Sequence, residues 1–362
     1  MSTMETPEAM IFIAKVNTPY LTRTCFLFRK SWESNTDFKL CLKLLRRFFN
    51  TERTTKALES FRMRIICLQF NPELGKVEQN MKSANKLLED ASQELSNAGA
   101  LLNDRATWLL LPEMAFSGYN FIDFTNIRPY LEPTKAGPST QWAKDVAVQY
   151  KWFVTVGYPE IAISAEEQPI YFNSTVTIAP DGTVVAHYRK SFLYYTDETW
   201  ASEGEIGDTP NGTKARFLST EINGIGRVSM GICMDINPYQ FLSPFEAYEF
   251  ANHALKSRSD FVVINMAWLT RLLPEELVYG YSKPDTEQFH YWIHRLFPLI
   301  ESTASNSEER FIVACANRCG VEGSAAYAGS SCVMQIKGGV IEVFDILGKM
   351  EEKCLIVDTE KV

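Results

Sequence analysis

The sequence predicts an α/β fold in which buried strands alternate with amphipathic helices. Short apolar runs at residues 64–70 and 107–111 stop at asparagine or proline, as buried strands do. Between them, apolar residues recur every three or four positions, which is the period of a helix with one buried face. These residues are Val77, Met81, Ala84, Leu88, Ala91, Leu95 and Ala98. This rhythm is typical of a layered domain with sheet at its centre and helices outside.

The same rhythm continues to the end of the chain. Asp181-Gly182 predicts the tight turn of a hairpin, because this pair supplies the positive φ that such a turn needs. Residues 243–246, Ser-Pro-Phe-Glu, have the pattern of a capping box and predict the start of a helix. Other runs predict helices around Trp142 and Trp292, and strands at 152–156, 172–178, 183–188, 227–232, 261–265, 311–316, 331–337, 340–344 and 354–357. We therefore expect residues 62–362 to form a single domain.

Residues 1–61 differ from the rest of the chain in charge and in pattern. They carry a net charge of +4, whereas the remainder carries −12. Residues 40–49 could form a short basic amphipathic helix, but Glu5 and Glu8 argue against a mitochondrial presequence. We predict a poorly ordered N-terminal extension over residues 1–61, followed by the domain.

Composition narrows the class of partner and the compartment. The 362 residues have a formal net charge of −8, which disfavours nucleic acid as a partner. The eight cysteines lack paired spacing, so they indicate a reducing compartment rather than a disulfide framework or a zinc site. No apolar run approaches the roughly 18 residues of a membrane helix. We predict a cytoplasmic protein without a membrane partner, leave a mitochondrial or nuclear pool open, and assign no oligomeric state.

Three reactive side chains mark the ends of predicted strands. Glu113, Lys190 and Cys233 each stand at or just after the end of one. In sheet-based α/β enzymes the working residues gather where strands end, so we expect these three to meet. A carboxylate can take the proton of a thiol, the thiolate can attack a carbonyl carbon, and an ammonium can stabilise the oxyanion.

These residues and the histidines also have plainer interpretations. The three could be a loop carboxylate, a surface amine and a core cysteine. His187 could pair with Cys233 as a Cys–His dyad, but that pairing leaves the carboxylate and the ammonium unexplained. His290 and His294 lie one helical turn apart, yet they lack the glutamate of a zinc motif and flank an apolar face. We therefore predict no metal site.

Three segments resemble the catalytic motifs of the nitrilase superfamily of carbon–nitrogen hydrolases, in the same order. They are Leu-Pro-Glu-Met-Ala-Phe-Ser-Gly-Tyr at 111–119, Tyr-Arg-Lys-Ser-Phe-Leu at 188–193 and Gly-Ile-Cys-Met-Asp at 231–235. The later segments 316–320 and 328–331 are also similar to that family. The resemblance implies a four-layer α-β-β-α sandwich. It also implies a Glu-Lys-Cys triad that hydrolyses amides through a thioacyl-enzyme, without a metal or organic cofactor.

The resemblance implies a role for each catalytic residue. Cys233 would be the nucleophile. Glu113 would serve in turn as base for the thiol, acid for the departing amine and base for the hydrolytic water. Lys190 and the backbone N–H of Met234 would bind the oxyanion.

A second acidic residue is expected near the lysine. The family often has a glutamate eight residues after the lysine, which is Glu198 in this chain. Asp197 stands beside it and would take its place if the loop shifted by one residue. We favour Glu198 as the fourth catalytic residue.

Several segments of the sequence resemble one branch of the superfamily, the fungal protein N-terminal amidases. The segments that carry this resemblance are 117–121, 188–194, 231–241, 243–250, 266–269 and 291–298. Enzymes of this branch convert N-terminal Asn or Gln to Asp or Glu for the N-degron pathway. Many small-molecule members have an Arg-Phe-Pro-Glu-like run after the cysteine, where this chain has Asn-Pro-Tyr-Gln-Phe. The resemblance thus implies a protein or peptide N-terminus as substrate.

A substrate that is a chain terminus needs a partner for its α-ammonium. The acidic residues that we consider are Asp235, Asp123, Asp197 and Glu198, with Tyr119 and Trp268 as walls of the site. Asp235 has an equally strong alternative role, the orientation of the nucleophile loop through backbone hydrogen bonds. Two rival hypotheses stay open, an amidase or carbamoylase for small metabolites and a catalytically silent binding scaffold.

Overall fold

The apolar runs form strands in the computed structural model, which describes residues 12–18, 21–27, 63–97, 105–205, 216–306 and 308–359. The strands are β1 (Phe12–Thr18), β2 (Leu21–Leu27), β3 (Met63–Gln69), β4 (Ala106–Leu110), β5 (Glu132–Pro133), β6 (Phe153–Ile163), β7 (Pro169–Ile178), β8 (Val184–Arg189), β9 (Leu218–Ile222), β10 (Gly226–Ile232), β11 (Phe261–Met266), β12 (Arg310–Asn317), β13 (Val321–Glu322), β14 (Ala325–Ala326), β15 (Cys332–Lys337), β16 (Val340–Ile346) and β17 (Lys353–Asp358). The helices are α1 (Val77–Asn97), α2 (Phe124–Ile127), α3 (Pro138–Tyr150), α4 (Glu249–Lys256), α5 (Pro274–Leu277), α6 (Thr286–Arg295) and α7 (Phe297–Ser305).

Fifteen of the described strands form two mixed sheets, and β13 and β14 pair with each other. The larger sheet has the order β1-β2-β16-β15-β12-β11-β10-β9, and the smaller has the order β17-β3-β4-β6-β7-β8, with β5 beside β6. The middle strands of each sheet run parallel. Parallel neighbours need a crossover, which α1 supplies between β3 and β4 and α3 supplies between β4 and β6.

The side chains of β3 show how the layers stack. Met63, Ile65 and Cys67 belong to an apolar cluster shared with the larger sheet, whereas Ile66 and Leu68 belong to a cluster shared with α1 and α3. Successive side chains of a strand point to opposite faces, so β3 is covered on both sides. Helices α4, α6 and α7 cover the outer face of the larger sheet. The result is a single domain with helix, sheet, sheet and helix layers, which confirms the expected α-β-β-α sandwich.

The predicted hairpin is confirmed and the predicted capping box is wrong. Gly182 has φ +87°, and Asp181 Oδ1 accepts from Thr183 N at 2.9 Å in the turn between β7 and β8. Pro244 instead has an extended backbone before a 3₁₀ turn, with no side-chain cap. Helix α4 therefore begins at Glu249, five residues after the helix start that the box predicts at Pro244, and follows Tyr248 at φ +42°.

The N-terminal segment contributes two strands to the larger sheet. β1 pairs with β2 in an antiparallel hairpin, and β2 pairs with β16. The predicted helix at residues 40–49 and the helical position of Ala98 lie outside the described residues. The domain boundary at residue 62 stays a prediction.

Strand β6 passes directly beneath the loop that carries Glu113. A Cβ atom on Gly157 would lie 2.8 Å from Pro112 O and Met114 N, and 2.9 Å from Glu113 Cα. Ala115 N also donates to Gly157 O at 3.1 Å. The missing side chain lets the loop lie against the strand, so the sheet sets the position of Glu113.

Candidate active site

Four strand ends meet at one point between the two sheets. In the smaller sheet β4 leads to Glu113 and β8 leads to Lys190, while in the larger sheet β10 leads to Cys233 and β11 leads to Ala267. Ala267 N donates to Glu113 Oε2 at 2.8 Å and so links the two sheets. The charges of Glu113 and Lys190 also act on the Cys233 thiol. The three residues that the sequence predicts to meet therefore lie together.

Glu113 is a buried carboxylate that accepts from three donors. Its Oε1 accepts from Lys190 Nζ at 2.6 Å and from Asn173 Nδ2 at 2.7 Å, and its Oε2 accepts from Ala267 N. Burial raises the pKa of Glu113; Lys190 acts against this shift and Asp197 adds to it. A carboxylate whose pKa is raised toward the working pH is suited to general base and general acid chemistry.

Lys190 is fully buried between two carboxylates. Its Nζ lies 2.6 Å from Glu113 Oε1 and 2.6 Å from Asp197 Oδ2. Burial alone would lower the pKa of Lys190, but Asp197 and Glu113 raise it above its usual value. Lys190 is therefore a charged ammonium, and its two partners offset the cost of burying that charge.

The second acidic residue of the site is Asp197, so the preference for Glu198 is wrong. The 3₁₀ turn Asp197–Thr199 points Asp197 into the protein, where it is fully buried, and leaves Glu198 exposed. Glu198 N donates to Tyr194 O at 3.0 Å, which fixes the turn in this register. The donors to Asp197 are Lys190 Nζ, Tyr119 OH at 3.1 Å, Asn173 Nδ2 at 2.9 Å and Tyr194 N at 3.0 Å.

Cys233 is held in a strained backbone conformation at the end of β10. It begins the 3₁₀ turn Cys233–Ile236 with φ +43°, a left-handed value that residues other than glycine rarely adopt. Burial raises the pKa of its thiol, Glu113 raises it further, and Lys190 and the Ala267 N–H lower it. The net shift is upward, so the thiol is protonated at neutral pH and needs a base to become a nucleophile.

Asp235 connects the Cys233 turn to the Lys190 loop. It accepts from four donors, which are Ile232 N at 2.7 Å, Phe192 N at 2.8 Å, Tyr188 OH at 2.8 Å and Ser191 N at 3.1 Å. Burial raises the pKa of Asp235 to about 7. Because its acceptor positions are taken, Asp235 orients the nucleophile loop and is wrongly placed to bind an ammonium.

A cavity of about 480 Å³ opens beside the Cys233 thiol. Its walls are Tyr119, Tyr194, Cys233, Met234, Asn237, Phe241, Ala267, Trp268, Leu269, Thr270, Arg271, Gln288 and Tyr291. They include Tyr119 and Trp268, which the sequence predicts as walls, and Met234, whose backbone N–H is the predicted oxyanion donor. Among the described residues no acidic side chain lines it, so none of the four acidic candidates for the α-ammonium is in place. Asp123 is exposed and caps α2 by accepting from Asn126 N at 2.9 Å.

Two pairs of neutral polar groups in the cavity are held in fixed orientations, while the charged wall residue Arg271 is exposed and pairs with Glu287 at 2.9 Å. Trp268 Nε1 donates to Gln288 Oε1 at 2.9 Å, and Tyr291 OH donates to Asn237 Oδ1 at 2.7 Å. The sequence analysis missed Asn237, Gln288 and Tyr291. Gln288 and Tyr291 lie three residues apart on α6, and that spacing is the one signal that places them on the same side.

The two late segments of the family resemblance support the cavity walls. Asn317 Oδ1, in the first segment, accepts from Trp268 N at 2.8 Å, and Ala328 N, in the second, donates to Trp268 O at 2.9 Å. Glu322 accepts from Tyr119 N at 3.2 Å and pairs with the buried Arg318. These contacts fix the backbones of Tyr119 and Trp268, so the segments act by positioning rather than by touching a substrate.

The other candidates from the sequence do not join the site. His187 Nε2 lies 3.0 Å from Glu160 Oε2 and 3.1 Å from Tyr158 OH, so its partners are not Cys233. Cys67, Cys315, Cys332 and Cys354 are buried in the apolar clusters. Within the described ranges, no group of three or more His, Cys, Asp and Glu residues could hold a metal, and no helix is long and apolar enough to cross a bilayer.

Comparison with known proteins identifies the family. The sequence profile of the carbon–nitrogen hydrolases matches residues 64–239, a range that includes Glu113, Lys190 and Cys233. The protein N-terminal amidase of Schizosaccharomyces pombe is 35% identical over 312 residues, which are 83% of this chain and 100% of the relative. This chain belongs to the carbon–nitrogen hydrolase family. It is an amidohydrolase.

Further relatives of the family agree with this assignment. The protein N-terminal amidase of Saccharomyces cerevisiae is 31% identical over 60% of this chain and 46% of the relative. A crystal structure of an N-terminal amidase with an Asn-Glu-Ala peptide is similar with a TM-score of 0.69 and 22% identity, over 83% of this chain and 98% of that chain. Another with a Gln-Gly peptide has a TM-score of 0.68 and 22% identity, over 82% and 97%. At these identities the solved structures establish the fold.

Asp197→Asn tests the second acidic residue. The change removes a charge beside Lys190 and turns an amide N–H group toward donors, so we expect kcat/KM for amide hydrolysis to fall by about 100-fold or more. Ammonia release measures this rate. Glu198→Gln is the matched control, and its rate should stay within about twofold of wild type because an exposed side chain is changed. Loss of activity in Glu198→Gln with retention in Asp197→Asn would contradict the assignment.

Asp235→Asn tests the orienting role. An amide offers one acceptor oxygen where the carboxylate has two, so buried backbone N–H groups lose their partner. We expect the free energy of unfolding to fall by about 1–3 kcal/mol for each N–H left unpaired, measured by urea denaturation. Asp123→Asn should change stability by less than about 0.5 kcal/mol, because Asn caps a helix as well as Asp does. Equal stability of the two variants would argue against the role.

Proposed function

We infer that this amidohydrolase is a protein N-terminal amidase, which hydrolyses the side-chain amide of N-terminal Asn or Gln to Asp or Glu and releases ammonia. The observation that carries this inference is the buried group of Glu113, Lys190 and Cys233 beside a cavity, in a chain 35% identical to the whole S. pombe amidase. The Asn-Glu-Ala and Gln-Gly peptides in similar structures support both substrates.

Acylation uses the three residues in sequence. Glu113 takes the proton of Cys233 Sγ, and the thiolate attacks the carbon of the side-chain amide. The carbonyl electrons move to oxygen, and Lys190 Nζ with the Met234 N–H stabilises this oxyanion. Glu113 then returns the proton to the amide nitrogen, the C–N bond breaks, and ammonia leaves a thioester on Cys233.

Deacylation reuses the same base. Glu113 takes a proton from water, and the water oxygen attacks the thioester carbon. The C–S bond then breaks, the Cys233 thiol regains its proton, and the side chain leaves as a carboxylic acid. The cycle consumes one water and releases one ammonia, so atoms and charge balance.

Neutral aromatic and amide groups in the cavity wall offer contacts to the α-ammonium. The Trp268 and Tyr291 rings lie with centroids 5.7 Å apart, and aromatic faces attract cations. The Gln288 and Asn237 side chains add fixed amide groups. We assign the ammonium to this group of four in place of an acidic residue.

The change of charge at the terminus of the product is the basis for the pathway that we propose. An Asn or Gln terminus is not charged in its side chain, and hydrolysis makes it acidic. We propose that the acidic terminus feeds the N-degron pathway of protein degradation, with the cytoplasm as compartment.

Mass spectrometry of a peptide set tests the function. The set contains Asn-first, Gln-first, internal-Asn and acetyl-Asn-first peptides, each incubated with the wild-type chain and with Cys233→Ala. We expect a gain of about one mass unit on the free Asn-first and Gln-first peptides alone, because an amide becomes an acid only where the cavity accepts the terminus. Cys233→Ala should convert none.

Other outcomes would replace the proposal. Ammonia release from small amides with no peptide converted would favour an amidase or carbamoylase for metabolites. Absence of reaction with both, together with a cellular function retained by Cys233→Ala, would favour a binding scaffold.

A further inference from the structure

Asn173 lies at the centre of the buried charges although it has no part in the reaction steps. It is a fully buried residue of β7, and its Nδ2 donates to Glu113 Oε1 at 2.7 Å and to Asp197 Oδ1 at 2.9 Å. No described residue donates to its own Oδ1. One amide nitrogen thus bridges both carboxylates of the site.

The orientation of this amide follows from its partners. A carboxylate only accepts hydrogen bonds, so two carboxylates can be satisfied by the two N–H groups of the amide and not by its oxygen. The amide oxygen is left buried and unpaired as a result. Buried polar atoms normally find a partner, so an arrangement that leaves one unpaired indicates that contact with the carboxylates is the feature retained.

The two carboxylate oxygens of Glu113 accept different numbers of hydrogen bonds. Oε1 accepts from both Lys190 and Asn173, which fills its two lone pairs. Oε2 accepts from Ala267 N, and that same N–H lies within reach of the Cys233 thiol. The oxygen with remaining capacity is therefore the one on the side of the nucleophile.

We propose that Asn173 is a positioning residue that occupies Glu113 Oε1, so that Oε2 alone exchanges the proton with Cys233 and the substrate. Asn173 acts through Glu113, since the hydrogen bonds of its side chain go to Glu113 and Asp197. A neutral amide also adds donors without adding a group that titrates near Glu113. The inference rests on the proposed amide hydrolysis, but it holds for any amide substrate.

Two variants separate this role from simple packing. Asn173→Leu removes both N–H groups at similar volume, and Asn173→Asp keeps the shape but adds a third carboxylate. Both changes remove a hydrogen-bond donor that stabilises ionised Glu113, so they raise its pKa. The acidic limb of the kcat/KM profile should therefore move to higher pH. We expect a shift of about one pH unit in Asn173→Leu and a larger one in Asn173→Asp.

Both variants should lower kcat much more than they change KM. At pH 7, kcat should fall by about tenfold or more in both variants, while KM stays within about threefold, because a remote donor to the base is lost. Thr177→Val is the control, since Thr177 is buried on the same strand and pairs with Thr155 rather than with a carboxylate. It should keep the wild-type pH profile even if its stability falls.

A packing role predicts the opposite order. The isosteric Asn173→Asp would then resemble wild type, and Asn173→Leu would lose rate equally at every pH. Either result would overturn the proposal. A substrate-free readout separates this failure from failure of the proposed function: the pH dependence of Cys233 alkylation by iodoacetamide, with Cys233→Ala as blank. Its acidic inflection should shift in both variants even if the wild-type chain converts no peptide, and an unchanged inflection would also overturn the proposal.

Discussion

The structure of the site depends on one ammonium held between two carboxylates. Lys190 Nζ lies 2.6 Å from both Glu113 and Asp197, and all three side chains are buried. Buried charges are costly unless each has partners of the opposite sign and enough hydrogen bonds. Two acidic groups around one cation still repel each other, which is why further donors converge on them, from Asn173 and from the backbone of Ala267.

The two-sheet architecture supplies these partners from separate parts of the chain. The base and the lysine stand on the smaller sheet, and the nucleophile and the Ala267 N–H stand on the larger one. Stacked sheets hold such groups rigidly because both faces of each strand are packed. The loops are fixed in turn, by Gly157 beneath Glu113 and by Asp235 between Cys233 and Lys190. The reactive group is therefore preorganised, with Cys233 at φ +43° and Met114, the residue after Glu113, at φ +51°.

Sequence reasoning located the residues that follow strands and missed those that depend on register. Apolar runs show where strands end, so the sequence predicts Glu113, Lys190 and Cys233 as site residues. It does not predict Asn173, because β7 pairs with β8 through a bulge between Thr177 and Ile178. Counting back from the hairpin turn without this bulge places Asn173 opposite Arg189 instead of beside Lys190, and a slip of one residue reverses every face. The confusion of Asp197 with Glu198 has the same origin, since one residue decides which side of a 3₁₀ turn faces inward.

The same electrostatics account for the lack of an acidic side chain among the described walls of the cavity. An acidic side chain placed against the substrate would serve its α-ammonium, but it would also stand next to Glu113 and Cys233. Asp197 already raises the pKa of both groups, and another carboxylate would raise them further. A higher pKa favours the protonated form of Glu113, which cannot act as a base. Fixed amides and aromatic faces attract a cation without this effect, so a site that combines a desolvated thiol with a cationic substrate favours them.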